Sequence, residues 1–128
     1  MARILLVDDD AHIARVMSIW LTRHGHEIVA THNGREALSR LKTESIDLII
    51  SDMNMPEMDG LALARGVREQ GYSTLPMLVM TARCDRDSLA ASLREFGVTM
   101  YPKPFVPSKL MEDVARLLAG SAQPEIVT

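Results

Sequence analysis

The sequence alternates between short apolar runs and longer segments in which apolar residues recur every three or four positions. The short runs are Ile4–Val7, Ile28–Ala30, Ile46–Ile50, Pro76–Met80 and Val98–Tyr101. Short apolar runs are typical of strands buried on both faces, and the longer spacing is typical of amphipathic helices. The alternation therefore predicts βα units that form a parallel sheet with helices on both faces.

Each predicted strand is followed by one predicted helix. The apolar stripes of the five helices span Ile13 to Leu21, Ala37 to Leu41, Leu61 to Val67, Leu89 to Phe96 and Leu110 to Leu118. Gly25, Gly71 and Gly97 are placed to end the first, third and fourth helices, and Asp85 or Asp87 to begin the fourth. We predict one α/β domain over residues 1–119, with residues 120–128 as a tail or linker stub.

Composition excludes several classes of protein. The formal net charge is -3 and basic residues are interspersed with acidic ones, which argues against a nucleic-acid partner held by electrostatics. Cys84 is the single cysteine, so the sequence supplies neither a disulfide nor a thiolate metal site. The first apolar run has four residues, too few for a secretory or membrane-spanning segment. We expect a cytoplasmic protein without membrane contact.

Polar residues stand where four of the predicted strands end. Asp8 and Asp9 follow the first strand, and Asp52, Thr81 and Lys103 follow the third, fourth and fifth. Each residue alone has a simpler explanation as a helix cap, a turn residue or a solvated side chain. Because ligands of parallel sheets bind at the carboxyl ends of the strands, the set together predicts one site.

The predicted chemistry follows from crowding of charge. Asp8, Asp9 and Asp52 would repel one another unless a cation lies among them, and few hard oxygen ligands suit Mg²⁺. Lys103 supplies a second positive charge, and Thr81 a hydroxyl donor. A carboxylate nucleophile, a metal and a positive clamp are what in-line phosphoryl transfer requires. We therefore predict Asp52 to accept a phosphoryl group.

These motifs resemble a known family. Val7-Asp8-Asp9, Ser51-Asp52-Met53-Asn54-Met55-Pro56, Met58-Asp59-Gly60, Thr81-Ala82 and Lys103-Pro104-Phe105 are similar to those of receiver domains of two-component response regulators, in particular single-domain chemotaxis regulators. The resemblance covers residues 3–119. It implies a (βα)5 flavodoxin-like receiver fold with strand order 2-1-3-4-5.

The resemblance also assigns roles around the metal and the phosphoryl group. It implies that Asp9 binds Mg²⁺ directly, Asp8 largely through water and Asn54 through its backbone carbonyl. Thr81 would move towards the phosphoryl group on Asp52. Lys103 would pair with the phosphoryl oxygens, Ala82 would keep Asp52 accessible, and the Lys103-Pro104 peptide bond would be cis.

Further implications concern partners. The donor would be a phosphohistidine on a sensor histidine kinase or a histidine phosphotransfer protein. The output would reach a downstream protein through the face formed by the fourth helix, fifth strand and fifth helix. Such a domain catalyses its own phosphorylation and dephosphorylation and is not a turnover enzyme. Arg83 and Asn54 flank the route to Asp52 and are candidates for tuning acyl-phosphate hydrolysis.

One position departs from the family pattern. The aromatic switch residue normally stands three positions before the lysine, where this chain has Met100, and Tyr101 stands one position later. In a strand, one position means the opposite face, so we expect Met100 to take the packing role of the ring. A local bulge that returned Tyr101 to the usual face is the alternative.

Two other functions fit part of the pattern. An aspartyl-phosphate hydrolase would use Asp8 as nucleophile and Asp10 as general acid, but the chain has no insertion that would form a substrate cap. An interaction domain that works without phosphorylation would keep the fold alone, and the complete set of acidic residues and lysine argues against it.

Overall fold

The computed structural model describes residues 2–82 and 86–122. Strands and helices alternate along this part of the chain, as the apolar pattern predicts. In order, the elements are β1 Arg3–Val7, α1 Ala11–Arg23, β2 Glu27–Thr31, α2 Gly34–Leu41, β3 Leu48–Asp52, α3 Gly60–Glu69, β4 Met77–Thr81, α4 Arg86–Glu95, β5 Thr99–Pro102 and α5 Pro107–Ala122.

The five strands form one parallel sheet in the order β2-β1-β3-β4-β5. This order and the helices on both faces confirm the doubly wound (βα)5 fold of the flavodoxin-like receiver type. In such a sheet the strand order reverses direction at β1 and β3, and the crevice at their carboxyl ends is the ordinary position of a ligand site.

Successive side chains of each strand enter two separate cores, because the side-chain period of a strand is two. In β1, Leu5 and Val7 pack with α2, α3 and α4, whereas Ile4 and Leu6 pack with α1 and α5. Both sets are almost fully buried. Burial on both faces explains why the strands are continuously apolar in sequence, and it fixes which way every strand-end side chain points.

The ends of the helices follow their local sequence. Gly25, Gly71 and Gly97 have φ values of 88°, 99° and 68°, the left-handed conformation that glycine adopts without strain. Each follows the helix it was predicted to end. Of the two residues predicted to cap α4, Asp85 lies outside the described residues, as do Arg83, Cys84 and the side chain of Asp87.

Two boundaries differ from the sequence prediction. The third strand begins at Leu48 and continues through Asp52, two residues later than predicted, because its pairing with β1 starts with Ile4 opposite Leu48. Asp52 is therefore the last residue of the strand itself. The last helix continues to Ala122, three residues beyond 119, and residues 123–128 lie outside the described part of the chain.

The longest helix, α5, has 16 residues and carries charged side chains along its length. Across the ranges that the structure covers, none of the helices is long and apolar enough to cross a membrane.

The start of α3 lies directly against the end of β3. Asp59 caps the helix by accepting a hydrogen bond from the Ala62 N–H at 2.8 Å, and the Gly60 N–H donates to the Met53 carbonyl at 2.9 Å. A Cβ atom on Gly60 would lie 2.9 Å from the Asp52 carbonyl oxygen and 3.0 Å from the Met53 Cα. Only glycine allows this approach, which holds the loop after Asp52 in place.

Gly60→Ala is therefore expected to destabilise the fold by about 2 kcal/mol, because the new methyl group meets backbone that cannot rotate away. Urea unfolding measures the change. The matched control is Gly120→Ala, at which a Cβ meets no atom within 4 Å in a helix and is expected to be neutral or slightly stabilising. Equal stability of the two variants would contradict the steric account.

Candidate functional site

Backbone hydrogen bonds fix the ends of the five strands at the carboxyl edge of the sheet. The Asp8 N–H donates to the Thr31 carbonyl at 3.2 Å, and the Met53 N–H, next after Asp52, donates to the Met80 carbonyl at 2.8 Å. The Lys103 N–H donates to the Thr81 carbonyl at 2.9 Å. These bonds extend the ladders one residue past the strands, so the residues that follow start from fixed positions.

Three of the predicted site residues form an acidic cluster. Asp8 and Asp52 are 2% and 4% exposed, whereas Asp9 is exposed. One carboxylate oxygen from each lies within 4.8 Å of the other two. Buried carboxylates at this spacing repel one another, so the cluster favours a cation.

Lys103 faces the cluster from the end of β5. Its ammonium forms an ion pair with Oδ1 of Asp52. That oxygen is buried, and within the described residues it accepts no hydrogen bond of regular geometry. The lysine is thus a counter-charge for the buried Asp52 carboxylate. The peptide bond between Lys103 and Pro104 is cis, as the family resemblance implies.

Burial raises the pKa of Asp8 from 3.8 to about 6. The hydrogen bond that its Oδ1 accepts from the Asp10 N–H at 2.9 Å lowers this pKa, and the nearby Asp52 charge raises it. Smaller opposing effects come from Lys103, which lowers it, and Asp9, which raises it. A cation beside Asp8 would offset the free-energy cost of burying its charged carboxylate.

The third aspartate of the Asp8-Asp9-Asp10 run has a different role. Oδ1 of Asp10 accepts hydrogen bonds from the N–H groups of His12 and Ile13 at 3.0 and 3.2 Å, and so caps α1. From sequence, helix capping explains all three aspartates equally well. In the structure, Asp10 is the residue that caps α1. Its carboxylate is held at the helix start and not turned towards Asp52.

The other predicted residues lie around this cluster. Thr81 is 1% exposed at the end of β4, beside Lys103 through the backbone bond above. Ala82 is exposed, and Asn54 is exposed on the loop two residues after Asp52.

Met100 and Tyr101 lie on opposite faces of β5, within the strand and before its carboxyl end. Met100 pairs with Val79 and is half-buried against the core formed by α2, α3 and α4. Tyr101 pairs with Met80 and is 4% exposed in the core formed by α1 and α5. The register runs without an extra residue through β5, so the described strand contains no bulge that would exchange the two side chains.

Sequence reasoning missed the apolar wall of the site. Ile13, Ala82, Lys103 and Phe105 line a cavity of about 460 Å³ together with Met80 and Pro104. Ile13 was assigned to the core stripe of the first helix, and Phe105 was noted only as part of the motif after Lys103. The spacing of Ile13, three residues after the capping Asp10, was the signal that it lies near the edge.

The fold and the cluster define a class of protein: a flavodoxin-like α/β domain with a buried acidic pocket that could hold a metal ion, opposed by a lysine at the carboxyl edge of its sheet. The family model of the response regulator receiver domain matches residues 4–115. The chain belongs to this family, whose members are signalling domains of two-component systems and not conventional enzymes.

Similar proteins include both short and long members. The chain is 36% identical to a chemotaxis protein CheY homolog of Campylobacter jejuni, over 94% of this chain and 96% of the relative. It is 39% identical to the response regulator protein FleR of Pseudomonas aeruginosa, over 93% of this chain but 25% of FleR, and 38% identical to the transcriptional regulator NtrC of Proteus hauseri, over 78% and 21%. The chain thus spans a quarter or less of the length of FleR and NtrC.

Solved structures give the same relationship. The response regulator CheY4 of Vibrio cholerae is 34% identical with a TM-score of 0.84, covering 91% of this chain and 98% of that one. The receiver domain of a histidine kinase from Syntrophus aciditrophicus is 36% identical with a TM-score of 0.87, covering 100% and 98%.

Asp8→Asn is expected to stabilise the metal-free protein above pH 6. The raised pKa means that the folded state binds a proton more tightly, so the cost of Asp8 is absent below about pH 4, grows through pH 6 and then stays constant, at most about 3 kcal/mol. Asparagine keeps the acceptor for the Asp10 N–H. Unfolding between pH 4 and 8 measures the gain.

The control for this series is Glu112→Gln, which removes an exposed carboxylate on α5. A gain from Asp8→Asn that is the same at pH 4 and pH 8 would show that charge burial is not its cause.

Proposed function

We propose that this domain is a phosphorylation-dependent receiver in which Asp52 accepts a phosphoryl group from a phosphohistidine. The donor would be a sensor histidine kinase or a histidine phosphotransfer protein. The observation that supports this most directly is the buried Asp52 carboxylate at the end of β3, beside Asp8 and Asp9 and paired with Lys103. The family membership supports it independently.

In the proposed reaction a carboxylate oxygen of Asp52 attacks the phosphorus in line with the leaving imidazole. The phosphorus–nitrogen bond breaks as the phosphorus–oxygen bond forms, and the imidazole nitrogen keeps the electron pair and takes up a proton. Lys103 first pairs with the Asp52 carboxylate, which is the nucleophile. Its ammonium then pairs with the phosphoryl oxygens, which carry the charge that the carboxylate has given up.

The donor set fits Mg²⁺, which prefers carboxylate and carbonyl oxygens and retains several waters. Asp9, Asp52 and the backbone carbonyl of Asn54 would hold the ion directly, and Asp8 largely through water. When bound, the ion supplies positive charge that neutralises the carboxylates and the phosphoryl oxygens. The buried position and raised pKa of Asp8 support this assignment, since such a group gains most from a neighbouring cation.

The proposed signal begins at Thr81, which would turn its hydroxyl towards the phosphoryl oxygens. Ala82 has no side-chain atoms beyond Cβ and would leave the route to Asp52 open. The rearrangement would reach the face formed by α4, β5 and α5, where a downstream protein binds. Met100 would transmit it, because its side chain lies on the α4 side of β5. We place the domain in the cytoplasm, and the proposed partners are proteins, not nucleic acid or membrane.

The hydrolase alternative has little support. It needs Asp10 as a general acid, and the Asp10 carboxylate caps α1 through two backbone N–H groups. Oδ1 of Asp10 here accepts two hydrogen bonds as a helix cap, whereas a general acid must donate a proton to the reacting group.

Incubation with Mg²⁺ and acetyl phosphate is expected to add one phosphoryl group, detected by intact mass. Asp52→Asn should abolish the label because the amide is not a nucleophile. Asp10→Asn, which keeps the α1 cap, should label like the wild type, whereas a hydrolase would lose turnover. Label retained in Asp52→Asn would overturn the proposal, and a wild-type protein that takes no label would favour an interaction domain that works without phosphorylation.

Tyr101→Phe is expected to leave the phosphorylation-dependent amide shifts of α4 and β5 unchanged, and Met100→Ala to reduce them. Phenylalanine is chosen because it keeps the ring. Tyr101→Ala would leave a cavity in the core and destabilise the fold by about 3–5 kcal/mol, so that an effect on stability could be mistaken for an effect on signalling. The hydroxyl that is lost donates to the Val106 carbonyl and accepts from the Val106 N–H. Loss of the shifts in Tyr101→Phe with Asp52 still labelled would assign the switch to Tyr101.

A further inference from the structure

Arg68 is a half-buried arginine on α3 whose guanidinium donates to three backbone carbonyls. Nε donates to Phe96 at 2.7 Å, and Nη1 donates to Tyr72 at 2.6 Å and to Leu75 at 2.8 Å. Burial lowers its pKa from the ordinary value, so the charge is partly desolvated. Charged donors on carbonyls are among the stronger hydrogen bonds of proteins, and these three offset that cost.

The three carbonyls lie at the two ends of one segment of the chain, which contains β4 and α4. Tyr72 and Leu75 lie in the loop that leads into β4, and Phe96 directly follows α4. The Arg68 side chain therefore ties the beginning of β4 to the end of α4, at the amino edge of the sheet. Its positive charge also lies where the last carbonyls of α4 have no partner within the helix.

The other ends of the same two elements lie at the opposite edge. β4 ends at Thr81, in the acidic site, and α4 begins five residues later at Arg86. The β4–α4 unit is thus anchored by Arg68 at one end and contacts the phosphoryl site at the other. A ten-residue helix is about 15 Å long, so a tilt of roughly 10° about a fixed carboxyl end moves its amino end by about 2–3 Å.

We propose that Arg68 is a positioning residue that fixes the carboxyl end of α4 as a pivot, so that phosphorylation displaces the amino end of the helix while the Phe96 end stays in place. This rests on the proposed function for the phosphorylation step alone. The anchor itself exists in the unphosphorylated protein and is tested there separately.

The surroundings of Arg68 make the variants practicable. Arg68 lines a cleft of about 320 Å³ with Ser73, Glu95, Phe96 and Gly97, so water can reach the carbonyls when the guanidinium is removed. The apolar contacts of α4 lie elsewhere, through Leu89 and Leu93 in the core shared with α2 and α3. Arg68→Gln should therefore fold, with a loosened carboxyl end of α4. Arg68→Lys provides a second variant, which keeps the positive charge but not the several N–H donors of the guanidinium.

Hydrogen exchange of individual amides tests the pivot. In the unphosphorylated protein, Arg68→Gln should speed exchange of the Phe96, Gly97 and Val98 amides, which bond back to Leu93 and Arg94, by roughly ten- to hundredfold. Arg15→Gln, on the exposed face of α1, is the matched arginine control and should change none of them. Unchanged exchange in both Arg68 variants would overturn the anchor.

Hydrogen exchange in the phosphorylated protein provides a second measurement, which would not change if Arg68 had only a structural role. After labelling of Asp52, exchange in wild type should change at the Leu89 and Ala90 amides and stay constant at Phe96 to Val98. In Arg68→Gln the change should spread to both ends of α4. A wild-type response of equal size at both ends would overturn the pivot, whereas failure of Asp52 to take label would count against the proposed function and leave the anchor result standing.

Discussion

Two carboxylates, Asp8 and Asp52, are withdrawn from water at the carboxyl edge of the sheet, and the rest of the site is arranged around the cost of that burial. Removing such charges from water costs several kcal/mol each unless partners replace it. Lys103 provides a counter-charge for Asp52, and the Asp10 N–H a hydrogen bond for Asp8. The Asp10 N–H is local to Asp8, but Asp52 ends β3 and Lys103 follows β5, so their ion pair exists only once the sheet order β2-β1-β3-β4-β5 has formed. The site and the topology therefore depend on each other.

Much of this arrangement is readable from sequence because it rests on local patterns. Continuous apolar runs identify strands buried on both faces, and the rule that parallel strands share one carboxyl edge is enough to bring Asp8, Asp52 and Lys103 together without coordinates. The two-residue period of a strand likewise separates Met100 from Tyr101. The exact bounds of β3 were missed because Ile46 and Leu48 are equally apolar, and pairing with β1 decides between them.

What sequence could not supply depends on contacts between distant segments. An Asp-Gly pair signals a turn, but the close approach of Gly60 to the Asp52 carbonyl arises from packing α3 against the end of β3. Arg68 is one basic residue among many in the sequence, and nothing local distinguishes it from the exposed Arg65 three positions earlier. Its three carbonyl partners lie 4, 7 and 28 residues away and meet only in the folded chain.

The two edges of the sheet are held by different sets of interactions, and this difference bears on the proposed switch. At the amino edge, the side chain of Asp47 accepts from the Arg3 N–H at 2.9 Å while its own N–H donates to the Arg3 carbonyl at 2.8 Å, and Arg68 binds three further carbonyls. These hydrogen bonds to backbone groups lie some 15 Å from the acidic site, the length of a strand of five residues, where salt screens the effect of a new charge. At the carboxyl edge the Asp52 carboxylate pairs with the Lys103 ammonium, a balance that a phosphoryl group on Asp52 would alter directly. In the proposed switch, change introduced at Asp52 would be taken up by the edge that contains it, and the elements would turn about the edge that does not.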